Sequence, residues 1–223
     1  MAAVRVLSTK KLQPNQKQYL LNAGLAVVEA DFISIAYKPF EIKNSTQNII
    51  FTSQNAFKSF LLNDAIEGFK ESRIFCVGST TKQFIEGKGY IVFASADYAE
   101  NLAEVIIAGH STESFTFFSG SMRRDTLPDA LAKANVNYVE VEVYETVLTP
   151  QKINAQLDGI LFYSPSGVES YLKENTIINQ TCFCIGTTTA AALSGVTKNM
   201  VLANKPSVEN VIVQCINYYK NIK

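Results

Sequence analysis

The phrase Cys76-Val77-Gly78-Ser79-Thr80-Thr81 recurs half a chain later as Cys184-Ile185-Gly186-Thr187-Thr188-Thr189. Each copy stands between a short apolar run and a stretch whose apolar residues have helical spacing, the signature of a strand turning into a helix. With the halves set one above the other at a shift of about 110 residues, the agreement spreads outward from these phrases. IIFTSQNAFKSFL (49–61) lies over ILFYSPSGVESYL (160–172), and AENLAEVI (99–106) over VENVIVQC (208–215). VRVLSTKKLQPNQKQYLLNAGLAVVEADFIS (4–34) lies over FTFFSGSMRRDTLPDALAKANVNYVEVEVYE (115–145), with strand, polar turn, helix and second strand in step. The chain reads as one α/β unit written twice.

The periodicity predicts strands at Val4–Leu7, Leu25–Glu29, Ile49–Thr52, Arg73–Val77, Tyr90–Phe93, Phe115–Phe118, Tyr138–Tyr144, Gly159–Tyr163, Cys182–Ile185 and Met200–Leu202. Helices are predicted near Asn15–Asn22, Gln54–Leu62, Thr80–Glu86, Ala99–Ala108, Leu127–Ala134, Gly167–Glu174, Thr188–Leu193 and Val208–Lys220. Strands that alternate with helices and are apolar on both faces imply parallel sheets covered on both sides, here of flavodoxin-like size. Two stretches break the pattern. DFISIAYKPFEIK (31–43), followed by a polar run to Asn48, and YVEVEVYETVLT (138–149) alternate apolar and polar residues. Both read as half-exposed extended connectors that pair with each other and link two lobes.

The 223 residues are 47% hydrophobic and 18% charged, enough for each half to bury its own core. Twenty basic residues balance twenty acidic ones, so no global field points to nucleic acid or an anionic membrane. The start, MAAVRVLSTKK, lacks the long apolar core of an export signal, and no later apolar run reaches spanning length, so the expectation is a cytoplasmic protein. Its cysteines, Cys76, Cys182, Cys184 and Cys215, are then expected as buried free thiols. Cys182 and Cys184 would share a strand face, but the single histidine is far away in sequence, and no metal site is predicted. His110 itself is read as an exposed loop residue without a role.

Five turns follow strands and open helices or their equivalents: Thr52-Ser53-Gln54, Gly78-Ser79-Thr80-Thr81, Ser119-Gly120-Ser121, Ser164-Pro165-Ser166-Gly167 and Gly186-Thr187-Thr188-Thr189. In a parallel sheet such turns lie at the carboxyl edge, where the first N–H groups of each helix point outward. They favour anions by roughly 0.3–1 kcal/mol at exposed sites, and hydroxyls add donors. Taken singly, each turn is explained by helix capping, Ser166 with Glu169 fitting a capping box. Taken together, in two similar lobes, they point to a cleft of neutral donors for a ligand with several carboxylates or phosphates. There is no Gly-x-x-x-x-Gly-Lys-Ser/Thr loop, no dinucleotide glycine fingerprint after a strand, no Gly-x-Ser-x-Gly elbow and no carboxylate pair at a strand end. No cofactor is expected.

These residues resemble the uroporphyrinogen-III synthase family. The carriers are IIFTSQNAF (49–57), CVGSTT (76–81), FFSGSMRRDTLPDAL (117–131), VEVYETV (141–147), ILFYSPSGV (160–168), CIGTTTAAAL (184–193) and ANKPSVENV (203–211), in order and spacing. The resemblance implies that each lobe takes its first strand–helix portion from the opposite end of the chain. One lobe would be 1–35 plus 148–223, the other 42–138, with linkers 36–41 and 139–147 and closure about that hinge. It also implies a cofactor-free lyase of haem and related tetrapyrrole synthesis that cyclises hydroxymethylbilane, a substrate with eight carboxylates. Tyr144, in the family's Val-Tyr element, would assist departure of the hydroxyl as a proton or hydrogen-bond donor. The substrate-binding set would be Thr52, Ser53, Gln54, Ser79, Thr80, Thr81, Ser119, Gly120, Ser121, Ser164, Ser166, Gly167, Thr187, Thr188 and Thr189, with Arg124 and then Arg123 for a carboxylate. Two departures from the family pattern are Tyr163 in place of Thr or Ser and Thr187 in place of Pro. The supplier would be hydroxymethylbilane synthase, with transient handover; a monomer is expected, with no nucleic-acid or membrane partner. The rivals are a noncatalytic two-lobed binder of a small polyanion and a sugar-phosphate isomerase, the latter wanting an acid–base pair that the sequence does not offer.

Overall fold

The structure is a computed structural model and describes residues 3–41, 46–63, 66, 69 and 71–221. The expected start of the second lobe at 42 lies outside them. In chain order the elements are β1 (Arg5–Ser8), α1 (Pro14–Asn22), β2 (Ala26–Glu29), β3 (Ile33–Tyr37), β4 (Asn48–Phe51), α2 (Gln54–Phe60), β5 (Arg73–Val77) and α3 (Ser79–Glu86). There follow β6 (Val92–Ala96), α4 (Ala99–His110), β7 (Ser114–Gly120), α5 (Thr126–Lys133), β8 (Asn137–Leu148) and β9 (Gly159–Phe162). The last elements are α6 (Pro165–Glu174), β10 (Thr181–Cys184), α7 (Thr187–Ala191), β11 (Met200–Leu202) and α8 (Val208–Asn221).

The chain divides into two compact units, Met1–Ser34 with Val147–Lys223, and Ile35–Thr146. Unit 1 holds a sheet of order β2-β1-β9-β10-β11, in which every neighbouring pair is parallel. The sheet of order β3-β8-β7-β4-β5-β6 lies in unit 2 except for Ile33–Ser34 of β3 and Val147–Leu148 of β8, and its strands from β8 to β6 pair in parallel. In both sheets the winding reverses next to the first strand of a copy, between β1 and β9 and between β7 and β4. The two α/β sheets thus repeat one topology, as the internal alignment requires. The two alternating stretches are strands and lie side by side as β3 and β8, with Lys38 N donating to Val143 O at 2.9 Å.

Central strands are buried on both faces: β4 (NIIF), β9 (GILF) and β10 (TCFC) have no exposed position. Helices on both sides supply the cover, and a fully buried Phe or Leu contributes about 1.5–3 kcal/mol. In unit 2 one core is aromatic. Phe51 stacks on Phe118 at 5.3 Å, and Phe57 and Phe60 close on Phe51 at 5.1 and 5.4 Å. Unit 1 builds the matching core from Leu7, Ile160, Phe162, Val168, Cys182, Cys184 and Leu193. The repeat is therefore one of pattern, and unlike residues fill like places.

Local signals hold in both copies. Helices α1 and α5 end on aligned residues with left-handed backbone, Gly24 (φ 76°) and Asn135 (φ 54°), residue types that tolerate this region. The strand expected at 90–93 runs later, as β6, because Tyr90 N still closes α3 by donating to Ile85 O, and β6 pairs with β5 across a register shift at Ile74/Phe75. His110 corrects an expectation. It is the last residue of α4 and partly buried, with Nδ1 3.0 Å from Glu113 Oε1 and its ring 5.4 Å from those of Phe75 and Phe93. All four cysteines are free and buried. Burial pushes the thiols of Cys76 and Cys184 up to about 11, and those of Cys182 and Cys215 up to about 12.

Candidate functional site

The carboxyl edge of unit 2's sheet gathers Thr52, Ser53, Gln54, Ser79, Thr80, Thr81, Ser119, Gly120, Ser121 and Tyr144, at the end of β7, on β8, and in the turns and first helical residues that follow β4, β5 and β7. After β4 the chain is extended at Ser53 (φ −151°, ψ 151°), the conformation an N-cap requires, and its Oγ accepts from Ala56 N at 3.1 Å. Gln54 Nε2 donates to Thr80 O at 3.0 Å and so ties the first turn of α2 to that of α3. Helix α3 starts at Gly78, whose φ of 89° suits glycine. Ser79 and Thr80 are exposed, whereas Thr81 is buried. No side chain caps α3; the N–H groups of Thr81 and Lys82 both donate to Gly78 O, at 3.1 and 3.0 Å.

Tyr144 joins this edge through a bulge. The register of β8 against β7 shifts between Ser119 and Gly120, so that Gly120 stands opposite Tyr144. The phenol ring occupies the space over Gly120, where an added Cβ would lie 2.2 Å from Tyr144 Cζ. Its Oη is 3.0 Å from Ser53 Oγ. Ser121 N donates to Tyr144 O at 3.0 Å, and Thr146 N donates to Ser121 Oγ at 3.1 Å, so the turn after β7 and the strand β8 hold each other. The structure thus brings Tyr144, Ser53, Gly120 and Ser121 into one cluster.

Arg123 is engaged within its own unit, bonded to Glu140 through Nε and Nη2 and to Asp125 through Nη1. These carboxylates raise its pKa further. Burial pushes the Glu140 carboxyl up, but the Arg123 guanidinium and the Ser119 hydroxyl outweigh this and hold it below the usual carboxylate range. Arg124, one residue on, is exposed.

Unit 1 carries the matching edge. Its cap corrects the sequence reading: Ser164, not Ser166, caps α6, accepting from Gly167 N at 3.0 Å, because Pro165 opens the helix and puts Ser166 inside it. Ser164 Oγ lies 3.0 Å from Ser166 Oγ. Ser53 and Ser164 occupy aligned positions, and so do Gly78 and Gly186, where α7 begins with no side-chain cap. Thr187 and Thr188 are exposed at the start of α7; Thr189, like Thr81, is buried.

The sequence reading passed over a sixth turn, Ser8-Thr9-Lys10 after β1. Ser8 Oγ donates to Lys10 O at 2.6 Å and lies 3.2 Å from Tyr163 Oη, Thr9 Oγ1 donates to Leu161 O at 2.8 Å, and Lys10 Nζ stands 5.5 Å from the Tyr163 ring centre. Burial raises the Tyr163 phenol well above its ordinary value, against the hydrogen bond with Ser8. The signal was available, since the alignment sets 8–10 over 119–121. Among the described residues no group of three or more His, Cys, Asp or Glu is arranged to hold a metal ion, and no helix is long and apolar enough to cross a membrane.

A family model described as uroporphyrinogen-III synthase HemD matches residues 16–212. The uroporphyrinogen-III synthase of Chlorobaculum parvum is 30% identical over an alignment of 169 residues that covers 65% of this chain and 68% of that protein. Among solved structures, the uroporphyrinogen-III synthetase of Helicobacter pylori 26695 superposes with a TM-score of 0.75 at 18% identity, covering 97% of this chain and all of the other. A mutant uroporphyrinogen III synthase of the extremely thermophilic bacterium Thermus thermophilus gives 0.67 at 13% identity, over 99% of this chain and all of the other. These two likenesses are of fold.

Proposed function

Because the chain belongs to the uroporphyrinogen-III synthase family, we propose that it closes linear hydroxymethylbilane into uroporphyrinogen III, with inversion of the last ring and release of water, in the cytoplasm and without a cofactor. The observation that carries this reading is the family match across 16–212. The carboxyl-edge turns support it, because Ser79, Thr80, Thr187 and Thr188 stand exposed at helix starts and carry hydroxyls of the kind that bind carboxylates without a net positive protein.

The chemistry asks little covalent work of the protein. The carbon–oxygen bond of the hydroxymethyl group breaks with its electron pair on oxygen, which takes a proton and leaves as water. The pyrrole nitrogen supplies the compensating pair and an azafulvene forms. The substituted α-carbon of the terminal pyrrole attacks it to give a spiro intermediate. Cleavage of that pyrrole's older carbon–carbon bond yields a second azafulvene, which closes on the free α-carbon with loss of one proton. The balance is one substrate to one ring and one water. Holding the two ends together contributes roughly 7–11 kcal/mol in favourable cases.

In this reading Tyr144 lends its proton or a hydrogen bond to the departing hydroxyl, a role open to a phenol O–H. Gln54, Ser79, Thr80, Gly120, Ser121 and Arg124 in unit 2 bind carboxylates, as do Ser164, Thr187 and Thr188 in unit 1. Arg123 acts first on Glu140, so Arg124 is the stronger candidate of the two. The substrate is supplied by hydroxymethylbilane synthase.

The test is to give freshly generated hydroxymethylbilane to the purified protein and to resolve the oxidised uroporphyrin isomers by chromatography. The type III isomer should dominate, and Tyr144→Phe should lower its rate of formation by about 10-fold or more without abolishing it. Only the spontaneous type I isomer, from a folded protein, would return the chain to the class of noncatalytic polyanion binders.

A further inference from the structure

Ser53 has two hydrogen-bond neighbours and one proton. Its Oγ accepts from Ala56 N at 3.1 Å and lies 3.0 Å from Tyr144 Oη. A hydroxyl offers one donor and two lone pairs, so the serine–tyrosine contact runs in one direction at a time. When Tyr144 turns its own proton toward a bound molecule, the contact survives only with Ser53 as donor. The Ala56 N–H belongs to the first turn of α2, at the positive end of that helix, and its bond to Ser53 strengthens the serine as a donor. Donation to the phenol oxygen then stabilises the negative charge that grows there as the proton departs.

We propose that Ser53 is the positioning residue of Tyr144, directing the phenol proton outward and linking the phenol oxygen to the amino end of α2. The inference rests on the reading of Tyr144 as the hydroxyl-assisting group. Two further observations carry it. The ring is seated, since it fills the space over Gly120 and the register shift in β8 puts Gly120 opposite Tyr144; bulges of this kind re-aim a side chain. The second observation is the other copy of the repeat. Ser164 caps α6 just as Ser53 caps α2, yet its hydroxyl neighbour is Ser166, and the residues aligned with Gly120 and Tyr144 are Thr9 and Ile33. Capping is common to both copies and the phenol contact is not, so the contact is an addition to the cap.

The experiment measures type III formation from freshly generated hydroxymethylbilane by the full chain, with Ser53→Ala and Ser53→Thr made in the unaltered and in the Tyr144→Phe background. Ser53→Ala is expected to lower kcat by roughly 3- to 10-fold, the scale of one hydrogen bond, with KM within about twofold. Ser53→Thr keeps the hydroxyl and should restore kcat to within about twofold of the unaltered protein. In the Tyr144→Phe background Ser53→Ala should change kcat by less than about twofold, although the cap is lost there as well. Circular dichroism confirms that each variant is folded. An equal loss in both backgrounds, or no loss in the unaltered one, overturns the proposal while leaving the activity in place. Absence of type III product from the unaltered protein overturns the functional reading first and the proposal with it. Full activity of Tyr144→Phe removes the group to be positioned, and so overturns it too.

Discussion

At Gly120 the absence of a single atom decides where a ring sits. Its Cβ would meet three ring atoms of Tyr144 at 2.2 to 2.6 Å, so Gly120→Ala must push the ring aside. The expected result is a loss of type III rate close to that of Tyr144→Phe, with an overpacking cost of about 1–3 kcal/mol read from urea unfolding. A variant with full rate would show that the ring's seat is dispensable. Residue types at this site were legible from the sequence, because hydroxyls and glycines at strand ends have a local reason to be there. The contact between Ser53 and Tyr144 was not, since 91 residues separate them and no local pattern encodes their meeting.

Elements carry the electrostatics. Arg123, in the turn after β7, is bonded to Glu140 on β8, with side chains 25% and 27% exposed. The Glu140 carboxyl is held below its ordinary value in the folded protein, so this pair contributes above the unfolded carboxyl's pKa and is lost as pH falls through the folded one. Glu140→Gln should therefore flatten the decline of the urea midpoint as pH falls below the ordinary carboxylate pKa of about 4.3, by less than about 1 kcal/mol at this exposure. Parallel slopes for variant and parent would remove the pair from the stability of this turn. In the sequence Glu140 was one of several alternating acids in YVEVEVYE, and nothing in the alternation marked it as the partner of Arg123.

On the scale of the molecule, β1 depends on residues from the far end of the chain. Val6, Leu7 and Ser8 pair with Gly159, Ile160 and Leu161 of β9, while unit 2 is one continuous segment. A chain ending at Thr146 should keep Ile35–Thr146 resistant to limited proteolysis and be cleaved within its first 34 residues, because β1, α1 and β2 lose the core formed with β9 and α8. Mass spectrometry of the fragments decides it; equal resistance of both segments would mean that β1-α1-β2 stands without β9.

Strand and helix identity, the twofold repeat and the hydroxyl turns were written in the sequence, because each depends on periodicity and turn chemistry within a few residues. Even where boundaries moved, as at β6 or at the cap of α6, the element itself survived. Periodicity is silent on which sheet β1 enters, on the seat of Tyr144 over Gly120, on the burial of His110 and on the engagement of Arg123. These are matters of strand order and of packing between distant segments, where one bulge or one missing Cβ changes which side chains meet, and only the tertiary structure decided them.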